Sequence, residues 1–297
     1  MLGCVRWQVM HLVLNPAAGK GRAAARRQGI SAFLAANGIG DVWHPTKGRG
    51  DAGRIVGSLS EDEPVVAVGG DGTIQEVAAA CSGTGRVMGV LPVGSGNDYV
   101  KALGVGTRLG PALEVLVGGR VLSVDAGEVN GTFFDNGLGI GFDAEVAEGV
   151  TEAPRFLGGF GGYLWSVARL LRGFECHDAT LVLDGEKSVR ARTILVAAAL
   201  GTTYGARFRL APEASLDDGL FDVVWSEEVS RSELVRLIPL ALNGRLHDHP
   251  KIHLARARTL EVEMAETIPA HVDGEMLPPS RSFSARVLPG ALNVIVP

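Results

Sequence analysis

Apolar positions up to about residue 120 fall into short unbroken blocks separated by stretches of helical spacing. "QVMHLVLN" is one such block, and "GRAAARRQGISAFLAANG" follows it as a helix closed by glycine. "DVWHPT" reads as a second strand, and "DAGRIVGSLS" as a helix starting at Asp51. The pair "PVVAVGG" and "TIQEVAAACSG" comes next, then "RVMGVLP" and a helix opening near Asn97 and Asp98. A further helix, "PALEVLVGG", closes the series. Strands alternating with helices predict βαβ units on a mostly parallel sheet. In such sheets ligands bind beyond the carboxyl ends of the strands.

From about residue 121 the pattern becomes one of paired alternating runs. "VLSVDAGEVNGTFFDNGLGI" predicts a hairpin turning at "NG", and "ATLVLDGEKSVRARTILVAAALG" another turning at "DGEK". "GLFDVVWSE", "RARTLEVEM", "SFSARVL" and "ALNVIVP" read as further strands, with helical interruptions at about 158–173 and 230–246. The expected fold class is therefore α/β plus all-β. A Rossmann-like α/β domain spans 1–120, and a mainly antiparallel β domain spans 121–290. No linker marks the boundary.

Composition narrows the function classes. The chain has 297 residues, 46% of them hydrophobic and 21% charged, which suits two packed domains and argues against disorder. A net charge of −5 lacks the basic excess of a nucleic-acid binder. Cys4, Cys81 and Cys176 form no CxxC pair, which fits a reduced, cytoplasmic setting and excludes a zinc site of the usual spacing. The start lacks the signal-peptide pattern. The longest apolar run, Ile194 to Leu200, is far short of the roughly 20 residues of a membrane helix. A soluble protein is expected. With 41 glycines, a short glycine motif standing alone means little.

Three loops carry the candidate chemistry: "NPAAGKG" (Asn15 to Gly21), "GGDGT" (Gly69 to Thr73) and "PVGSGND" (Pro92 to Asp98). Each leaves an apolar strand and enters a helix, whose first N–H groups and positive dipole end suit phosphate. Glycine lets backbone approach an anion. Lys20, Thr73 and Ser95 add donors. Any one loop is explained by a tight turn; three at one sheet edge point to a phosphate site. Asp71 would repel phosphate unless a metal or a substrate hydroxyl faces it, and both occur in phosphoryl transfer. Asp98 is a second such candidate, although helix capping by Asn97 or Asp98 explains it equally well.

The other motifs along the chain carry less. The "GK" at Gly19 and Lys20 is followed by glycine, so no Walker loop exists. "GRGDAG" (Gly48 to Gly53) matches a dinucleotide fingerprint only formally, since it follows the second strand. Thr46 and Asp51 face the same edge as the three loops. "DGE" occurs at Asp184–Glu186 and Asp273–Glu275, and hairpin turns explain both. "SLDDGLFD" (Ser215 to Asp222) gathers oxygen ligands of the kind hard cations take, although a solvated turn does the same. His247 and His249 fall in a polar loop, and no nucleophile motif is present.

Together, "LVLNPAAGKG", "VVAVGGDGTIQEV", "GVLPVGSGNDYVKALG", "NGLGIGFDAEV", "PEASLDDGLFDVV" and "AHVDGEML" resemble, in order and spacing, the diacylglycerol kinase catalytic family. That family includes soluble bacterial lipid kinases and sphingosine and ceramide kinases. The resemblance covers the chain from about residue 10 to the end. "GGDGT" alone is shared with NAD kinases. The resemblance implies an α/β nucleotide domain, a β-sandwich lipid domain, an active-site cleft between them, and a final strand (291–297) that returns to the first domain. It implies ATP contacts from Asn15, Pro16, Gly19, Thr46 and Gly70 to Glu76 (Gly72 and Thr73 within), with Gly69, Lys20, Ser95, Asn97 and Asp98 completing the nucleotide site. Ser95 stands where the family usually has threonine.

The resemblance further implies a Mg2+ site at Asp218 with the carbonyls of Ser215 and Leu220. Either Asp71 or Glu275 would be the base that takes the proton from a lipid hydroxyl. ATP and Mg2+ are the expected cofactors, and a diacylglycerol-like lipid at a membrane surface the expected substrate. A NAD kinase-like enzyme and a non-catalytic lipid or nucleotide sensor are the alternatives. "RFLGGFGGYLWSVARLLRGF" (Arg155 to Phe174) mixes Phe156, Phe160, Tyr163 and Trp165 with Arg155, Arg169 and Arg172. That mixture suits transient contact with the inner membrane face, or an ordinary amphipathic helix. Exposed strand edges would allow a homodimer.

Overall fold

A computed structural model describes residues 7–154, 157–205 and 207–297. Cys4, Arg155 and Phe156 lie outside the described residues, as do the side chains of Phe160 and Tyr163. The chain divides into two compact units: residues up to Ala126 joined by Pro289–Pro297, and Gly127–Leu288.

The first unit is built from β1 (Val9–Leu14), α1 (Arg22–Ala36), β2 (Gly40–Pro45), α2 (Asp51–Gly57), β3 (Val65–Gly69), α3 (Asp71–Cys81), β4 (Val87–Pro92), α4 (Asp98–Ala102) and α5 (Leu109–Gly118). Its strands are parallel in the order β4-β3-β1-β2. All five residues of β3 are buried. A parallel strand covered on both faces has no solvent side, hence its unbroken apolar run. α1 turns Ala23, Ile30 and Leu34 inward. Gly38, with φ 73°, ends it in the left-handed region that glycine enters without strain.

The second unit starts within β5 (Arg120–Val129) and continues through β6 (Thr132–Phe134), β7 (Gly137–Gly141), α6 (Phe142–Glu152), α7 (Gly158–Leu170), β8 (His177–Leu183), β9 (Lys187–Thr193), β10 (Leu195–Ala199), β11 (Phe221–Ser226), α8 (Arg231–Leu242), β12 (Ile252–Ala257), β13 (Thr259–Val272) and β14 (Glu275–Val296). Its ladders are antiparallel, in the order β12-β11-β10-β7-β13-β14. β13 serves two sets of partners. Ala270–Val272 pair with β7, while Leu260–Met264 pair with β8. An irregularity between Glu263 and Ile268 separates the two stretches, which is how a strand passes between the layers of a sandwich.

Three elements depart from the sequence expectation. "SFSARVL" and "ALNVIVP" are one strand, β14, because Pro289–Gly290 does not break it; the Gly290 N–H finds an acceptor in Asp125 Oδ1 at 2.8 Å. The last stretch of β14 pairs in parallel with β4, Asn293 beside Val87 and Val294 beside Met88. "RARTLEVEM" divides between β12 and β13. α6 was not anticipated; it begins after Gly141 (φ 86°), with Asp143 and Glu145 in its first turn facing the positive dipole end.

Candidate functional site

In the first unit the three glycine loops follow β1, β3 and β4, which are neighbours in the sheet, so they crowd one edge. The Val93 and Gly94 N–H groups donate to Gly69 O at 2.9 and 3.2 Å, and the Asn15 amide donates to Thr73 Oγ1 at 3.2 Å. The approach is too close for larger residues. A Cβ on Gly94 would stand 2.6 Å from Gly70 Cα, and one on Gly19 2.4 Å from Val93 O. Gly19, Lys20 and Gly21 all have positive φ, and Lys20, Gly72 and Ser95 are exposed. A bare-backbone cradle at the N-terminus of α3, with a lysine and two hydroxyls nearby, fits phosphate.

Asp71 ties two of these loops together. Its Oδ2 accepts from Asn97 N–H and its Oδ1 from Asp98 N–H, both at 2.8 Å. Burial, and then the charge of Asp98, hold the Asp71 carboxyl above its ordinary value, against these hydrogen bonds. A Cβ on Gly96 would meet Asp71 Oδ2 at 2.5 Å. Capping of α4 by Asn97 or Asp98 is thereby corrected. Asp71 caps α4 from another loop; Asn97 sits in the left-handed region with its amide on Gly94 O, and Asp98 Oδ1 pairs with Lys101 at 2.8 Å.

Glu76 acts similarly at α2, accepting from Gly50 N–H at 2.8 Å and Ala52 N–H at 3.1 Å. Its carboxylate stands where a dinucleotide pyrophosphate would have to sit, so "GRGDAG" is a structural turn. Asp51 is buried and accepts from Lys47 N–H at 2.6 Å. Thr46 is half-buried, its N–H bonded to Leu14 O at 2.8 Å, and Pro16 is half-buried after β1.

In the second unit both "DGE" segments are the same kind of hairpin turn. Asp184 and Gly185 have φ 52° and 70°; Asp273 and Gly274 have 52° and 85°. Asp184 Oδ1 accepts from the N–H groups of Arg258 and Thr259 at 2.8 and 2.9 Å. Asp273 accepts from Asp135, Asn136 and Gly137 N–H at 2.9, 3.0 and 2.8 Å. Burial pushes the Asp273 carboxyl up to about 6 despite these bonds and a further one from the Asp135 side chain. Glu275 pairs with Val272 in register and is half-buried at the head of β14. Asp135 was missed in the sequence; "FFDNG" reads as turn composition, and its partner lies 138 residues away.

The acidic loop before β11 has Asp218 Oδ1 accepting from Leu220 N–H at 3.1 Å and Ser215 Oγ donating to Asp217 at 2.6 Å. Arg256 lies 3.9 Å from Asp218 and 3.3 Å from Asp222. Asp222 adds a group that sequence reasoning did not single out: its buried Oδ2 makes no hydrogen bond among the described residues, and burial raises its carboxyl despite Arg256. No cluster of three or more His, Cys, Asp or Glu side chains suits a metal among the described residues. The orphaned Asp222 oxygen, on a residue that shares Arg256 with Asp218, is of the kind a hard cation takes.

Helices α6, α7 and α8 cover an apolar cavity of about 80 Å³. Phe142, Val146, Val167, Ile194, Leu237 and Ile252 line it, with Asp143 as its one carboxylate. In α7, Arg169 pairs with Glu152 and lies over the Trp165 ring at 5.5 Å, while Leu164 is exposed. No helix among the described residues is long and apolar enough to cross a membrane.

A parallel α/β unit with crowded glycine loops, followed by an antiparallel sandwich-like unit, defines the fold class shared by diacylglycerol kinases and NAD kinases. The chain belongs to the diacylglycerol kinase family. The family described as "Diacylglycerol kinase catalytic domain" matches residues 9–129, and "YegS C-terminal NAD kinase beta sandwich-like domain" matches 137–296. A diacylglycerol kinase of Bacillus subtilis (strain 168) is 30% identical over 243 residues, 79% of this chain and 80% of that one. One from Mycobacterium tuberculosis (strain CDC 1551 / Oshkosh) is 28% identical over 294 residues, 95% and 93% of the two chains. A crystal structure from Bacillus anthracis str. Sterne shares the fold with a TM-score of 0.81 at 24% identity, covering 99% of this chain and 98% of that one.

Proposed function

We propose that the protein is an ATP- and Mg2+-dependent lipid kinase that transfers the γ-phosphoryl group to the hydroxyl of a diacylglycerol-like lipid. The observation that carries the lipid reading is the apolar cavity beneath α6, α7 and α8, with a single carboxylate among its lining residues. A nucleotide-sized polar acceptor such as NAD has no use for it. The names of the Bacillus and Mycobacterium relatives support the same substrate class.

The chain's own groups supply the rest. Backbone N–H groups of the glycine loops, Lys20 and the hydroxyls of Thr73 and Ser95 hold the phosphates, while Asn15, Asp71 and Glu76 keep those loops in place. Both Asp71 oxygens already accept backbone N–H groups, so Glu275 is the better proton acceptor for the lipid hydroxyl. Mg2+, when bound by Asp218, Asp222 and the carbonyls of Ser215 and Leu220, would neutralise charge in that acidic loop. The lipid enters from a membrane surface past α7, where Leu164 is exposed.

The test is Mg2+-dependent ATP consumption by the whole chain against lipid alcohols in mixed micelles, with NAD in the panel. Turnover on diacylglycerol with loss in Glu275→Gln supports the reading. Turnover on NAD alone overturns it.

A further inference from the structure

Asp143 and His271 form a buried pair in the second unit that phosphoryl transfer, as proposed above, does not use. His271 Nε2 lies 3.0 Å from Asp143 Oδ2, and the Gly274 N–H donates to His271 Nδ1 at 3.1 Å. A nitrogen that accepts from a backbone N–H carries no proton, so the ring proton sits on Nε2 and points to Asp143. The imidazole is 2% exposed. It therefore fixes the carboxylate through one oxygen and leaves acceptor capacity on the other.

Room for the pair is made by a glycine. Gly139 of β7 is in register with His271, and a Cβ there would stand 2.3 Å from Asp143 Oδ2 and 2.6 Å from His271 Nε2. An ionisable pair in such a place is seldom the most stable filling, since apolar residues of the same volume often do better. Its position suggests why it is there. Among the described residues Asp143 is the only carboxylate lining the apolar cavity, and Tyr204 OH, the other polar lining group among them, is committed to Ala198 O at 3.1 Å. A cavity of about 80 Å³ holds roughly three waters at their liquid volume, room for the first few carbons of an alkyl chain.

We propose that Asp143, oriented by His271, is the specificity-determining acceptor that selects an alcohol among chains that enter this cavity, by taking a hydrogen bond from its hydroxyl in the docked state, before that hydroxyl turns to Glu275 for transfer. The proposal rests on the lipid reading for the cavity's occupant, but not on turnover. Asp143 is the contact residue, and His271 is a positioning residue.

The experiment compares binding of octanol and octyl methyl ether to the whole chain by calorimetry. The two share an alkyl chain, and only octanol has a donor. Wild type should prefer octanol by about tenfold or more, the worth of a hydrogen bond to a charged acceptor. In Asp143→Asn the His271 proton draws the amide oxygen to itself and turns the NH2 toward the ligand, so the preference should vanish. His271→Gln retains an N–H donor and should keep much of it, whereas His271→Leu should lose it. Equal wild-type affinity for the two probes overturns the proposal without any variant, as does a preference that survives in Asp143→Asn. Absence of alkyl-chain binding in wild type also overturns it. A preference for octanol in a protein that phosphorylates no lipid would instead overturn the kinase reading and keep this site.

Discussion

Asp71 and Asp273 stand in near-identical surroundings by sequence: an aspartate, then glycine, at the end of an apolar strand. Both serve as clamps, each accepting backbone N–H groups from a loop far along the chain. They differ in company. Asp273 gathers three N–H groups from buried residues of another strand end, and burial holds its carboxyl up at about 6. Asp71 gathers two, beside a second carboxylate, at the edge where the glycine loops leave backbone bare. The same dipeptide thus locks one unit and shapes a binding edge in the other. What distinguishes them is what lies on the far side of the carboxylate.

The sharpest way to break the comparison is Asp273→Ala. Three buried N–H groups lose their acceptor at about 1–3 kcal/mol each, so the second unit should lose several kcal/mol in denaturant unfolding. A loss below about 1 kcal/mol would mean water or Asp135 replaces the clamp. Asp71→Asn should do the opposite: stability falls by only about 1–2 kcal/mol, while ATP turnover drops by roughly a hundredfold because the phosphate-holding loops it ties together are misplaced. Equal turnover in variant and wild type would remove Asp71 from the site.

Gly96→Ala and Gly139→Ala press a methyl group on Asp71 and Asp143 respectively. Each should cost about 1–3 kcal/mol, the first raising the KM for ATP and the second the KM for lipid. An exchange of those two KM effects would show the pairing to be wrong.

The smallest effect is a pH dependence. The folded Asp273 carboxyl, at about 6, lies above its ordinary value near 4. The folded state therefore keeps a proton that the unfolded chain has released, and the stability from this group falls as pH rises from about 4 to about 6. Asp273→Asn removes the titrating group. Its stability relative to wild type should rise across the same window, and a flat difference curve would place the proton elsewhere.

Much of this was legible in the sequence. The unbroken apolar block of β3 and the alternating runs around Asn130–Gly131 and Asp184–Gly185 announce parallel and antiparallel sheet through local periodicity. The glycine loops were equally readable as a group. Three things were not. Pro289–Gly290 looks like a break, yet β14 runs through it because Asp125 supplies the missing acceptor. α6 hides in "GFDAEVAEGV", where a left-handed Gly141 starts it without a usual cap residue. The Asp143–His271 pair joins residues 128 apart through a gap left by Gly139, and no window along the chain shows that.

By itself, then, the sequence determined the two kinds of sheet, the three glycine turns and the family pattern, since each depends on residues within a few positions of one another. Only the tertiary structure decided what each carboxylate does: Asp71 clamping α4, Glu76 filling the start of α2, Asp273 locking residues 135–137, and Asp143 meeting the cavity. A carboxylate's role is set by which N–H groups and which space the folded chain brings to it, and those partners are distant along the chain.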